Sequence, residues 1–301
     1  MLSNRISQYY ARLATRPYLL AVLFMLVSTA AFSAMNVGVS AISNELHPTV
    51  IVTLRNALTL LLLAPAVGAN RFKLLRTTRL RSHFGRGTIG GIGMITWTYC
   101  LSIMPVNHAT ALSYTAPLFT TLFAVLFLGE KAGFTRWAGL AAGFLGAMVI
   151  IRPDTADFNW SSLLVMLATT GWAVAGMLVK SLSRTEPPLR IVFYMNLFML
   201  LWALPFGLYY WQWPTLHGWA ILGLIACLSI LMHYSMASAY FLAPVVKLMP
   251  FDFMRLIYTA IFAYALFGET SGLHTWLGAA IIVGSAVFIA RRDAKAAPVE
   301  G

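Results

Sequence analysis

Residues 105–139, PVNHATALSYTAPLFTTLFAVLFLGEKAGFTRWAG, are matched 139 positions later by residues 244–278, PVVKLMPFDFMRLIYTAIFAYALFGETSGLHTWLG. The two stretches align without a gap: Pro105-Val106 falls on Pro244-Val245, Gly129-Glu130 on Gly268-Glu269, Trp137 on Trp276 and Gly139 on Gly278. The same shift carries Pro48 to Pro187, Gly68 to Gly207, Arg152 to Arg291 and Asp154 to Asp293. Self-similarity at one fixed offset over this much of a chain means that its halves are copies of one structural unit.

The solvent of that unit follows from composition. In 301 residues, 59 % are apolar and only 10 % charged, and the mean hydropathy is +0.77; soluble domains carry about 25 % charged residues. Apolar stretches recur at 18–39, 46–69, 87–104, 108–128, 134–151, 160–181, 189–210, 217–241, 245–267 and 273–290, each close to the ~20 residues that cross ~30 Å of hydrocarbon. Runs such as Leu60-Leu61-Leu62-Leu63 lack the alternation of a barrel strand. The expected fold is therefore an all-α integral membrane protein of ten transmembrane helices, five in each copy: 18–151 and 160–290, with tails at 1–17 and 291–301. The first span follows a basic leader, yet its length and its counterpart in the second copy argue against a cleaved signal.

Charge sets the orientation. With the N-terminus in the cytoplasm, every Lys and Arg except Arg55, Arg152 and Arg255 falls in a cytoplasmic segment. Both termini then face the cytoplasm. The formal net charge of +12 is thus the basic bias of cytoplasmic loops, and nucleic acid is not an expected partner. Because five is odd, the second copy enters from the opposite side: the basic loop at 71–86 corresponds to Trp211–His217, which has no Lys or Arg. Inverted repeats of this kind place a solute site near the midplane and expose it alternately to either side.

Gly93-Met-Ile-Thr-Trp97-Thr-Tyr99, then Ala111-Leu-Ser-Tyr114-Thr-Ala-Pro117 running on to Gly129-Glu130, and Trp137-Ala-Gly139 together resemble the EamA module of the drug/metabolite transporter superfamily, in both halves. The first tract, with Asp154-Thr-Ala-Asp157-Phe-Asn159, is most similar to bacterial S-adenosylmethionine uptake transporters, and more loosely to riboflavin and amino-acid carriers. The resemblance implies a secondary transporter of a small organic metabolite.

Ionisable residues inside spans are costly and mark sites. Arg55 lies in the second span, Asp252 and Arg255 in the ninth, with Lys247 at its start. Asp252 and Arg255 are three residues apart and can neutralise each other, which leaves Arg55 for the carboxylate or phosphate of a substrate. The offset sets Asp252 on Ser113, Arg255 on Ala116 and Lys247 on His108, so these charges are not part of what the copies share. Pro250 interrupts the helix just before Asp252. Trp97, Tyr99, Tyr114, Trp172 and Tyr258 complete the candidate set, since rings stack on flat bases or enclose onium groups. The repeated Glu130 and Glu269 read as scaffold. Asp252 is the coupling candidate, being the one acidic residue deep in a span.

Cys100 and Cys227 have no metal-ligand spacing, no phosphate-binding loop or His-Glu-x-x-His occurs, and neither a cofactor nor a metal is expected. A carrier of an anionic or zwitterionic solute, S-adenosylmethionine or an amino-acid-like compound among them, is the main reading. A flavin or other aromatic metabolite in the same fold is the alternative, and a membrane-embedded lipid-modifying enzyme is a distant third. The small-residue step Gly139-x-x-x-Gly143 leaves monomer and weak homodimer both open.

Overall fold

A computed structural model describes residues 17–69, 75–103, 113, 116–151, 160–267 and 273–296. Among these residues the fold is entirely helical: α1 Pro17–Ile42, α2 Pro48–Ala69, α3 Leu80–Ile103, α4 Ala116–Leu128, α5 Phe134–Ile151, α6 Trp160–Ser183, α7 Pro188–Tyr209, α8 Leu216–Leu242, α9 Val245–Asp252, α10 Met254–Phe267 and α11 Leu273–Ala296. Five of these, within α1, α2, α6, α7 and α8, are long and apolar enough to cross a membrane. Shorter apolar helices lie within α4, α5 and α11. The expected ninth span is broken at Phe253 into α9 and α10, three residues after Pro250.

Proline opens α1, α2 and α7, where its missing N–H would be unpaired in any case. Thr215 caps α8 by accepting from the Gly218 N–H at 3.1 Å. At the end of α4, Gly129 takes φ 66°, a conformation open to glycine at little cost, and the Glu130 N–H turns back to the Ala124 carbonyl. That turn aims Glu130 at the start of α9, where its two carboxylate oxygens accept from the N–H groups of Val245 (3.1 Å) and Val246 (2.9 Å). Lys180 of α6 closes the other side of the same corner, donating to the carbonyls of Tyr240 and Ala243. The Gly-Glu signature is thus a cap delivered across the bundle. Glu130→Ala removes it and lowers stability by about 1–2 kcal/mol, to be read as a fall in the melting temperature of purified protein.

Helix packing runs in exchangeable pairs. α1 lies along α8 as α3 lies along α6, α1 meets α10 as α4 meets α6, and α2 with α7 and α5 with α11 are pairs of equivalents. Small residues permit the close crossings. A Cβ on Gly146 of α5 would stand 2.8 Å from Ile282 and 2.9 Å from the Gly278 carbonyl of α11, and one on Gly143 would stand 2.6 Å from Phe253 at the α9–α10 break. These glycines are filled from within the chain. Gly146→Leu drives α5 from α11, and we expect a loss of about 1–3 kcal/mol and a matching fall in folded yield.

Large apolar side chains such as Leu61, Leu126, Phe127 and Leu145 point outward, while Arg55, Asn56, Arg86, Thr120 and Asn196 are buried. The outward faces suit lipid, where no water competes for polar groups. Asn56 and Asn196 donate to the carbonyls of Val52 and Val192 in their own helices. Cys100 is buried and Cys227 is exposed, and among the described residues neither is in a disulfide. In the turn between α1 and α2, Glu45 accepts from the Thr215 backbone N–H at 2.6 Å, a bond that holds its carboxyl below the usual range. That contact is present at neutral pH and is lost only as pH falls through the lowered value.

Candidate functional site

A cavity of about 210 Å³ lies within the helical bundle. One water needs roughly 10–15 Å³ of such space, so the cavity is large enough for an organic solute. Helices α1–α4 and α6–α10 all contribute to its wall, and among the described residues α5 and α11 do not.

Arg55, Trp172, Asp252 and Arg255 are brought together on this wall. Arg255 approaches Asp252 at 3.4 Å (Nη2 to Oδ2) and lies 5.5 Å from the Phe32 ring centroid. The α9–α10 break sets this geometry: Asp252 ends one helix and Arg255 belongs to the next, whose first turn is tied to α1 by the Ser33 hydroxyl donating to the Arg255 carbonyl at 2.7 Å. The pair is therefore both an ion pair and a cavity-facing group. Arg55, 3 % exposed, projects from α2 into a thioether cradle, its Nη2 3.1 Å from Met94 Sδ and its Nη1 4.0 Å from Met35 Sδ. Its Nε has no partner among the described residues.

Trp172 of α6 is held by the tract that carries the resemblance. Gly93 of α3 faces the indole so closely that a Cβ there would lie 3.0 Å from Nε1, and Trp97, one turn further along α3, packs on the Trp172 ring at 5.3 Å and 53°. Gly93 gives the indole room, Met94 touches Arg55 and lines the cavity, and Trp97 backs the ring from behind, so Gly93-Met94-x-x-Trp97 supports one wall of the cavity. Eight of the chain's 14 methionines line the remainder, among them Met35, Met94 and Met232. Unbranched thioethers adapt to the outline of a flat ring and contact it favourably.

Other expected site residues stand elsewhere. Trp97 supports Trp172 without lining the cavity. Tyr99 faces outward at 56 % exposure. Lys247 lies over the Tyr18 ring, 5.5 Å from its centroid and off the cavity. Tyr258 is half-buried on α10 and is not part of the wall. Tyr114, with His108 and Glu269, lies outside the described residues.

Two groups escaped the sequence reading. Arg86, assigned to a cytoplasmic loop, is inside α3, 5 % exposed, and lines the cavity with its Nε unpartnered among the described residues. His233 of α8 lines the cavity, with its Nδ1 unpartnered among the described residues. The signal for Arg86 was the glycine run it begins: Gly87 meets Phe198 and Gly91 meets Trp202 of α7, a face that only a packed helix needs.

Comparison with known proteins fits this arrangement. The EamA-like transporter family matches residues 19–152 and, a second time, 159–291. The chain is 30 % identical over 283 residues to the S-adenosylmethionine uptake transporter of Rickettsia bellii, covering 94 % of this chain and 97 % of that protein. It is 32 % identical over 281 residues to the riboflavin transporter of Brucella anthropi, covering 89 % and 98 %. A solved crystal structure superposes with a TM-score of 0.78 at 18 % identity, covering 90 % of this chain and 98 % of that one; this likeness concerns the fold alone. A chain matched twice by one membrane transporter family, around a cavity that can admit an organic solute, belongs to the EamA-like transporter family and is a transporter rather than an enzyme.

Proposed function

We propose that the protein is a secondary carrier of the bacterial cytoplasmic membrane that moves a small organic metabolite, anionic or zwitterionic and bearing a flat ring, through the central cavity by alternating access. In this reading it has ten spans in two inverted five-helix units, 18–151 and 160–290, with both termini in the cytoplasm. The basic loops support the orientation, and the double family match and the exchangeable helix pairs support the repeat. The observation that carries the reading is the composition of the cavity: three guanidinium groups, one carboxylate, the Trp172 indole and a thioether wall facing one space. Such a set has partners for the charged groups of a metabolite and for its ring.

The names of the two relatives supply candidates with one feature in common. S-adenosylmethionine carries adenine and riboflavin carries isoalloxazine, and both rings can lie against an indole and methionine side chains. Asp252 is the proposed coupling group. The test is uptake of radiolabelled S-adenosylmethionine and of riboflavin into proteoliposomes, with and without an imposed proton gradient. Saturable accumulation of one of them, competed by the unlabelled compound, is expected; rates equal to those of protein-free liposomes for both would remove these two candidates and the flat-ring reading with them.

A further inference from the structure

We infer that Arg55 and Arg86 form an anion receptor in the cavity wall, so that the carrier takes the net-negative form of a ring-bearing solute, a carboxylate or a phosphate monoester, in preference to its neutral or cationic counterpart. The inference rests on the reading of the cavity as the transport site and goes further by fixing the sign of the cargo.

The argument begins with the charges. Arg55, Arg86 and Arg255 line the cavity against a single carboxylate, Asp252, and Asp252 is engaged by Arg255 at 3.4 Å. Neither Arg55 nor Arg86 has an acidic partner among the described residues. Both are more than nine-tenths buried and each leaves its Nε unbonded. The terminal nitrogens of Arg55 reach only the sulfurs of Met94 and Met35, which are weak acceptors. A guanidinium retained for scaffold would have carbonyl or carboxylate partners, because leaving its donors unmet in a buried place is costly. Lys180 shows that pattern in the same bundle, with two carbonyls on its ammonium.

The repeat supports the distinction. The offset of 139 sets Arg55 on Tyr194 and Arg86 on Ile225, so neither cation belongs to the packing that the copies share. His233, also on the wall and with its Nδ1 unpartnered among the described residues, lies at the position equivalent to Met94 and can offer an imidazole N–H to the same anion. Planar guanidinium forks match carboxylate and phosphate oxygens in bidentate geometry. A solute that is net positive, such as a sulfonium carrying also an ammonium and one carboxylate, adds to the unbalanced charge of the cavity; an anion removes it.

The test uses pairs of compounds that differ in charge. Purified full-length protein in lipid nanodiscs is titrated with riboflavin and riboflavin 5′-phosphate, and with S-adenosylmethionine and S-adenosylhomocysteine, which lacks the methyl group and with it the sulfonium charge. Binding is followed by melting temperature and tryptophan quenching at constant ionic strength. Riboflavin 5′-phosphate binds at least about tenfold more tightly than riboflavin, as expected for charge-assisted bonds, and S-adenosylhomocysteine binds more tightly than S-adenosylmethionine. In R55Q and R86Q the advantage of the phosphate shrinks to about threefold or less. A reversed or absent preference in either pair, no binding of riboflavin 5′-phosphate, or an undiminished preference in both variants overturns the anion receptor. The wild-type comparison stands if the variants do not fold. Saturable uptake of S-adenosylmethionine or riboflavin by the wild type, together with a reversed charge preference, would leave the carrier assignment in place and remove the anion receptor alone.

Discussion

Asp252→Asn leaves the protein folded in the membrane and lowers uptake to roughly a hundredth of the wild-type rate or less, because three guanidiniums then face one cavity with no counter-charge. The substitution keeps the shape of the side chain and removes its charge, so the α9–α10 break and the Ser33 anchor on the Arg255 carbonyl remain. Breaking a fully buried ion pair costs about 3–5 kcal/mol. Here the cost is smaller, since the Asp252 side chain is 20 % exposed to the cavity and Arg255 11 %, and cavity water can solvate the cation left behind. Arg255→Ala has the same effect on uptake for the opposite reason, leaving the carboxylate without its cation.

The double variant separates two explanations. If the pair were only a self-neutralising element of the scaffold, Asp252→Asn combined with Arg255→Met would restore function, because neither member of the pair is then left without the other. If the pair meets the solute or couples its movement, the double variant stays inactive although it folds. Uptake is measured in proteoliposomes of matched protein content, with a melting curve for each variant. Wild-type uptake in either single variant, or recovery in the double one, would remove the pair from the proposed site.

The sequence made the all-helical fold more legible than the site. That fold followed from apolar runs of span length, which need no knowledge of side-chain direction. The break at Phe253 was legible from Pro250. Site membership depends instead on which way a helix faces. Tyr99 follows Trp97 by two residues, ~200° around a helix, so once Trp97 packs on Trp172 Tyr99 must point away. Lys247 precedes Asp252 by five residues, ~140° off its direction, and lies over Tyr18 instead of in the cavity. Arg86 was hidden by hydropathy. Arg81, His83 and Arg86 make the first two turns of α3 read as loop, although the helix begins at Leu80 and the glycines beyond Arg86 press it against α7. Nothing in the spacing alone could show that Arg55 and Arg86, 31 positions apart on neighbouring helices, share one space with Asp252.

Arg55→Met is expected to separate stability from transport most sharply. Methionine is close to arginine in length, carries no charge, and meets Met35 and Met94, the two thioethers that already surround the guanidinium. Replacing a buried ionic group by a well-packed apolar one is commonly neutral or stabilising by about 1–4 kcal/mol, so the melting temperature of the unliganded variant stays level or rises. Arg55→Ala, by contrast, opens a void between the same sulfurs and costs about 2–4 kcal/mol. Uptake falls to background in both, because an anionic group entering the cavity loses the cation that no other residue of α2 supplies. The two variants thus share one functional outcome and have opposite effects on stability. That combination follows only if Arg55 serves the solute, since a guanidinium that held the bundle together would cost stability on removal whichever side chain replaced it. A melting temperature lowered by Arg55→Met, or uptake in that variant within twofold of wild type, would return Arg55 to the scaffold.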